Sequence, residues 1–126
     1  TYIMALCRDQ DLKVKEFSTL ALVHFALSKR SINILISKGV LDLFDTFGGA
    51  QGSDVNPTIQ TNVSWIFLAL CNNGITGRRM LTQGITRDMF LVSCNPHYHE
   101  IRHLVITGFA VLGRSTTQDI QAKLLI

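Results

Sequence analysis

Charge is scarce in this chain. Lys, Arg, Asp and Glu make up 17% of its residues, against about 25% in an average soluble domain. Twelve Lys and Arg stand against nine Asp and Glu. The resulting net charge of +3 is too small to argue by itself for nucleic acid or a membrane surface. Long apolar runs are missing too. The longest is the seven residues Trp65–Cys71, far short of the roughly 20 that cross a bilayer. Three cysteines are too few and too scattered for a disulfide framework, so a reducing, cytoplasmic setting is expected. The opening residues Thr1–Met4 lack the basic stretch and apolar run of a secretory signal. They read as the interior of a helix, and the chain is expected to be a segment of something longer. What the chain does have is 47% hydrophobic residues, enough to bury a core and to exclude disorder.

Those apolar residues repeat. A shift of 45 residues carries Val14 onto Ile59, Leu22 onto Phe67, Phe25 onto Leu70, Ile36 onto Leu81, Gly39 onto Gly84 and Val40 onto Ile85. A further shift of 42 carries Ile59 onto Ile101, Val63 onto Val105, Phe67 onto Phe109 and Leu70 onto Leu112. Ile59, Val63, Ile66, Phe67 and Leu70 form one stripe on a helix of about 3.6 residues per turn. Ile101, Val105, Gly108, Phe109 and Leu112 keep the same spacing. Val14, Ala21, Leu22 and Phe25 keep it except at Ser18.

The punctuation also reads as helical. Ser31 is expected to cap a short helix Ile32–Lys38 that stops at Gly39, and Val40–Phe47 to form another that ends at Gly48-Gly49. Residues 48–56 read as a loop. Asn56-Pro57 opens a long helix that ends near Asn72. Thr76 opens a short helix closed by Gly84, and Thr86 or Arg87 opens one broken at Asn95-Pro96. A long helix is expected from His97 to Gly113, with Ser115 or Thr116 opening a last one. No segment alternates long enough to be a strand. Residues 9–54 and 55–96 are therefore two complete units, 97–126 an incomplete one, and 1–8 the end of a preceding one. Such units bury their stripes by stacking, and a period of 42 to 45 lies in the range of armadillo and HEAT repeats.

Long helix, short helix, then a Gly opening the next helix resembles the armadillo repeat. The family pattern of a small residue followed three and six positions later by apolar ones is met at Thr19, Leu22 and Phe25. It is met again at Ser64, Phe67 and Leu70, and more loosely at Ile106, Phe109 and Leu112. Gly39 and Gly84 match the family's glycine. The resemblance implies an all-α fold, an α-solenoid of about two complete repeats with partial ones at each end. It also implies a concave face of long helices that binds a protein segment.

That face lies opposite the apolar stripe. It comprises Glu16, Thr61 and His103 on one level, Leu20, Trp65 and Thr107 on the next, and His24, Ala69 and Val111 on the third. For a solvated surface it is poor in charge and rich in apolar area, which points to contact, and Trp is favoured at binding hot spots. The alternative for Trp65 is packing against a neighbouring repeat. Trp65 also stands where importin-α-like armadillo proteins carry a groove tryptophan. The Asn those proteins place four residues on is here Ala69, with His24 and Val111 in the flanking units. Nuclear-signal recognition by an asparagine ladder is therefore not expected.

One catalytic pattern is present. His99-Glu100-Ile101-Arg102-His103 matches H-E-x-x-H, in which two His one helical turn apart ligate zinc and the Glu acts as base. Ile106 stands where the extended pattern needs Gly, and Cys94 and His97 are the only nearby additions to a Cys/His cluster. Cys71 and Cys94 read as small buried hydrophobes. Gly48–Gly52 has no preceding strand and no following Lys-Ser/Thr, so it is not a phosphate loop. Lys29-Arg30 are read as complementing a helix C-terminal dipole. The expected function is a non-enzymatic, cofactor-free protein-interaction scaffold in a larger assembly, with a protein segment and neighbouring repeats as partners. Neither nucleic acid nor membrane insertion is expected. A zinc-dependent hydrolase using His99 and His103 and a nucleic-acid-binding helical repeat are the alternatives.

Overall fold

A computed structural model describes residues 2–44, 56–94 and 99–125, including their side chains except at 74, 75 and 115–125. Among the described residues there are seven α-helices, one turn of 3-10 helix and no strand. The helices are α1 (Tyr2–Leu6), α2 (Leu12–Ala26), α3 (Lys29–Ser37), α4 (Pro57–Cys71), α5 (Gly74–Thr82), α6 (Ile85–Ser93) and α7 (His99–Leu125). The 3-10 turn is Val40–Leu43. The loop expected over residues 48–55, the helix end at Phe47 and the break at Asn95-Pro96 lie outside the described residues.

Side-chain caps set most helix starts. Asp11, in extended conformation, accepts the N–H groups of Lys13 and Val14 and opens α2. Asn56 accepts from Thr58 N–H at 2.8 Å, with Pro57 at the first helical position of α4. Asn73 caps α5, so Thr76 does not start that helix. Its hydroxyl instead donates to Asn73 Oδ1 at 2.9 Å. The cap of α3 is Ser28, not Ser31, because Ser28 holds the extended backbone and accepts from Ser31 N–H. Lys29-Arg30 therefore open α3 rather than close α2, and at a helix N-terminus they oppose the dipole. Among the described residues, Gly39 (φ 87°) and Gly84 (φ 76°) are the two left-handed ones. Each turns the chain out of a short helix into the next element, a conformation costly for residues with a Cβ. With Gly84 in the cap position, α6 starts at Ile85, before either expected residue.

α4 packs against α2 on one side and α7 on the other. The short helices lie beside the long ones, α3 on α2, α5 on α4 and α6 on α7. On α4 the whole stripe Ile59, Val63, Ile66, Phe67 and Leu70 is buried. On α7, Ile101, Val105, Gly108 and Leu112 are buried and Phe109 is half-buried. On α2 the inward face is rotated from the expected one. Ser18, Thr19, Leu22, Val23 and Ala26 are buried, whereas Phe25 is 44% exposed. Small Thr19 and Ala26 let α4 approach, and the hydroxyls of Ser18 and Thr19 bond back to Val14 and Lys15 carbonyls at 2.6 and 2.7 Å. Ile36 and Leu81, although matched by the repeat, differ in burial, half-buried against exposed.

α7 runs through Gly113, contrary to the expected stop there and restart at Ser115 or Thr116. Glycine ends a helix by turning left-handed, and Gly113 stays helical instead. Gly108 in the same helix has a packing reason. A Cβ there would sit 2.7 Å from Phe67 Cε2 and 3.1 Å from Cys71 Sγ, so its absence sets how closely α7 meets α4.

Phe67→Ala is expected to cost about 3–5 kcal/mol, and Phe25→Ala about 1 kcal/mol or less, measured by urea denaturation. Equal losses would show the faces of α2 to be misassigned. Gly108→Ala should destabilise by about 1–3 kcal/mol through overpacking. Gly113→Ala, whose Cβ meets nothing within 4 Å, should stabilise by roughly 0.5–1 kcal/mol through helix propensity.

Candidate interaction face

The inward arcs of α4 point to α2, to α5 and to α7, which leaves one arc open. Thr61, Trp65, Leu68, Ala69 and Asn72 occupy it, and none of them is buried. The matching residues of α2 and α7 are likewise unburied. Leu20, His24, His103 and Thr107 are exposed, and Glu16 and Val111 are half-buried.

The polar members of this face are mostly tied locally. The Glu16 carboxylate accepts from Asn56 Nδ2 at 2.7 Å and lies 3.7 Å from Lys13 Nζ. It clips the start of α4 to α2. Thr61 donates to Pro57 O at 2.9 Å and Thr107 to His103 O at 2.8 Å, each within its own helix. What remains outward-looking is apolar or aromatic, with two imidazoles. Trp65 is 37% exposed. It lines a depression with His99, Glu100, His103 and Leu104. Trp65 thus keeps an exposed portion beside the first turns of α7.

A second depression adjoins the third level. Ala69 lines it together with Ala26, Ile32, Asn33, Asn72 and Asn73. Asn73 Nδ2 donates to Asn33 Oδ1 at 3.4 Å across the two units. Sequence reading treated Asn72-Asn73 only as a helix end. The signal available was the pair of consecutive amides, but Asn33 joins them only through the stacking of α3 beside α4's end.

His99, Glu100 and His103 are all exposed, with the two His one turn apart at the start of α7. Among the described residues no three His, Cys, Asp or Glu side chains are grouped to hold a metal ion. His97 lies outside the described residues. Cys94, expected to be buried, is exposed, because it is the residue that terminates α6. Cys71 is buried against Gly108, and burial pushes its thiol up to about 12. Cys7 is also raised by burial, an effect that hydrogen bonding with Ser18 and the charge of Arg8 partly offset. For Cys7 and Cys71 the shift is opposite to the lowered thiol pKa of an activated nucleophile.

No family model, no curated protein and no solved structure matches the chain.

In the folded protein, a thiol-specific reagent should label Cys94 quickly and spare Cys7 and Cys71 until denaturant is added, as peptide mass analysis would show. The Cys71 shift also sets a pH dependence. The unfolded thiol ionises near its ordinary value of 9.0, whereas burial makes the folded one hold its proton to about 12. The unfolded state therefore binds fewer protons in that window, and stability must fall as pH rises through it. Cys71→Ser should flatten that fall in thermal melts taken from pH 9.0 upward, towards about 12. An unchanged slope would place Cys71 outside the core.

Proposed function

We propose that the chain is an armadillo-like run of helical repeats acting as a non-enzymatic scaffold, with a protein segment of a larger assembly lying across its long helices. Three observations support this reading. The long helices α2, α4 and α7 pack in series about α4. Gly39 and Gly84 are left-handed at the places where the family carries its glycine. The nine residues Glu16, Leu20, His24, Thr61, Trp65, Ala69, His103, Thr107 and Val111 are all unburied. A reducing, cytoplasmic setting goes with the proposal, since all three cysteines are free and two are buried singly.

The observation that carries it is Trp65. A tryptophan with about a third of its surface free, set among small and half-covered neighbours, offers an apolar anchor. Covering that edge removes it from water at roughly 25 cal/mol per Å2. The surrounding groups have mixed polarity, Glu100 with His99 and His103 on one side and Asn72 and Asn73 on the other. They suit a partner with one apolar anchor and hydrogen-bonding backbone rather than a strongly charged one.

Trp65 is the only tryptophan, so its fluorescence reports this site alone. A captured partner, purified and titrated into the chain, should shift or quench that emission. Trp65→Ala should weaken binding by tenfold or more, at least about 1.4 kcal/mol, with helicity retained. A partner that binds Trp65→Ala as tightly as the parent and leaves the parent's emission unchanged would remove the site from the proposal.

A further inference from the structure

The third level of the open face ends in a slot with two chemistries. Ala26, Leu27, Ile32 and Ala69 line it, and so do Lys29, Asn33, Asn72 and Asn73. Ala26 and Ile32 are buried, whereas Lys29, Asn33 and Asn72 are exposed, so the slot is apolar at its base and polar at its mouth. The hydrogen bonds of the mouth fix what it still offers. Thr76 donates its N–H and its hydroxyl to Asn73 Oδ1, at 3.3 and 2.9 Å. That orients the Asn73 amide, whose Nδ2 donates to Asn33 Oδ1. Asn72 Nδ2 is likewise set as a donor, to Leu68 O at 3.2 Å. A carboxamide nitrogen carries two N–H groups. Among the described residues, Asn72 and Asn73 therefore keep one apiece and Asn33 keeps both. Lys29 adds an ammonium, and among the described residues no carboxylate lines the slot or pairs with that lysine.

We propose that this slot receives an acidic side chain of the partner segment that Trp65 anchors, an inference that rests on the reading of Trp65 given above. A mouth of N–H groups and an ammonium is complementary to a carboxylate, and charge-assisted hydrogen bonds are the strong ones. Glutamate fits best. Its methylenes cover the apolar base at Ala26 and Ala69 while its head stays among Lys29, Asn33 and Asn73. Glutamine in its place would turn an amino group toward these donors, and lysine would meet Lys29.

The slot and the Trp65 depression lie on opposite flanks of α4, one beside α2 and α3 and the other beside α7. Trp65 and Asn72 share the open arc and stand about 10 Å apart along the axis, at about 1.5 Å per residue. Crossing between the flanks adds a sideways step of roughly half to one interhelix spacing, about 4–10 Å. The diagonal is about 11–14 Å, which an extended chain spans with about three or four residues at about 3.3 Å each. Glu100 lines the Trp65 depression and repels a second carboxylate there. The segment therefore carries its acid on one side of the apolar anchor only, and lies on the face in a single direction.

A randomised peptide library displayed on phage and selected on the 126-residue chain tests this. Recovered peptides should share an apolar or aromatic residue with Glu, less often Asp, about three or four positions to one fixed side of it. Lys29 is exposed, so Lys29→Glu should keep parental helicity. Selected on that variant, the library should retain the apolar residue and exchange the acid for Lys or Arg. A synthetic peptide of the recovered sequence should lose about fivefold or more in affinity for the parent chain when its acid is replaced by glutamine. On Lys29→Glu that preference should be gone. Peptides that share the apolar residue but no acid, or an acid preference that Lys29→Glu leaves unchanged, would overturn this inference and leave the Trp65 reading standing. A selection that recovers no shared apolar residue, or peptides that bind Trp65→Ala as tightly as the parent, would overturn both.

Discussion

Phe67 is the side chain on which the stack depends. It lies in the middle helix, fully buried, with Phe44 of the first unit at 6.3 Å and Phe109 of the last at 5.8 Å. Both ring pairs are close to perpendicular, at 71° and 81°, the edge-to-face arrangement that aromatic quadrupoles favour. One ring therefore touches all three layers. Phe44 reaches it because Gly39 turns the chain left-handed and the following 3-10 turn buries Val40, Leu41 and Leu43. Phe109 reaches it because Gly108, one residue earlier, has no side chain to hold α7 off. Two glycines with different roles, one conformational and one steric, serve a single aromatic.

Dispersion and burial are not directional, so apolar contact alone would let the helices slide. The first interface carries polar contacts that fix its register. Asn62 Nδ2 donates to Thr19 Oγ1 and approaches Glu16 O at 3.3 Å. Asn56 bonds Glu16 at the same level. A slip of one turn would strand a buried amide at a cost of about 1–3 kcal/mol. The second interface fixes register differently, by shape. Gly108 over Phe67 and Leu112 over Gly77 are close approaches that admit one alignment, since larger residues in either place would collide.

The helical core was legible where the sequence pattern and the packing share a cause. On α4 every residue of the stripe is buried, because that helix has neighbours on both sides and a wide inward arc. On α2 the same template failed at Phe25. An end helix has a narrower inward arc, and Thr19, Leu22 and Ala26 fill it with smaller side chains that a hydrophobicity pattern undervalues. Caps were legible where one candidate stood alone, as at Asn56, and not where two competed, as at Ser28 and Ser31. Gly113 misled because glycine's helix-ending signal is conformational, and nothing in the sequence distinguishes a glycine that turns left-handed from one that stays helical. The candidate face was readable as positions opposite the stripe. Its details were not, because His99 and Glu100 come to Trp65 from another helix and Asn33 comes to Asn73 from another unit.

The open face runs across three long helices packed in series, and their spacing limits what can lie along it. Neighbouring helix axes in such packing are about 8–10 Å apart, so three long helices set their equivalent residues across roughly 16–20 Å. An extended chain covers that with about five or six residues, at about 3.3 Å each. A segment that short has little area to offset its ordering entropy, so one copy alone makes a modest site. Further units stacked in the same way would add rungs to the Leu20–Trp65–Thr107 row, each later contact then made at the effective concentration set by the first.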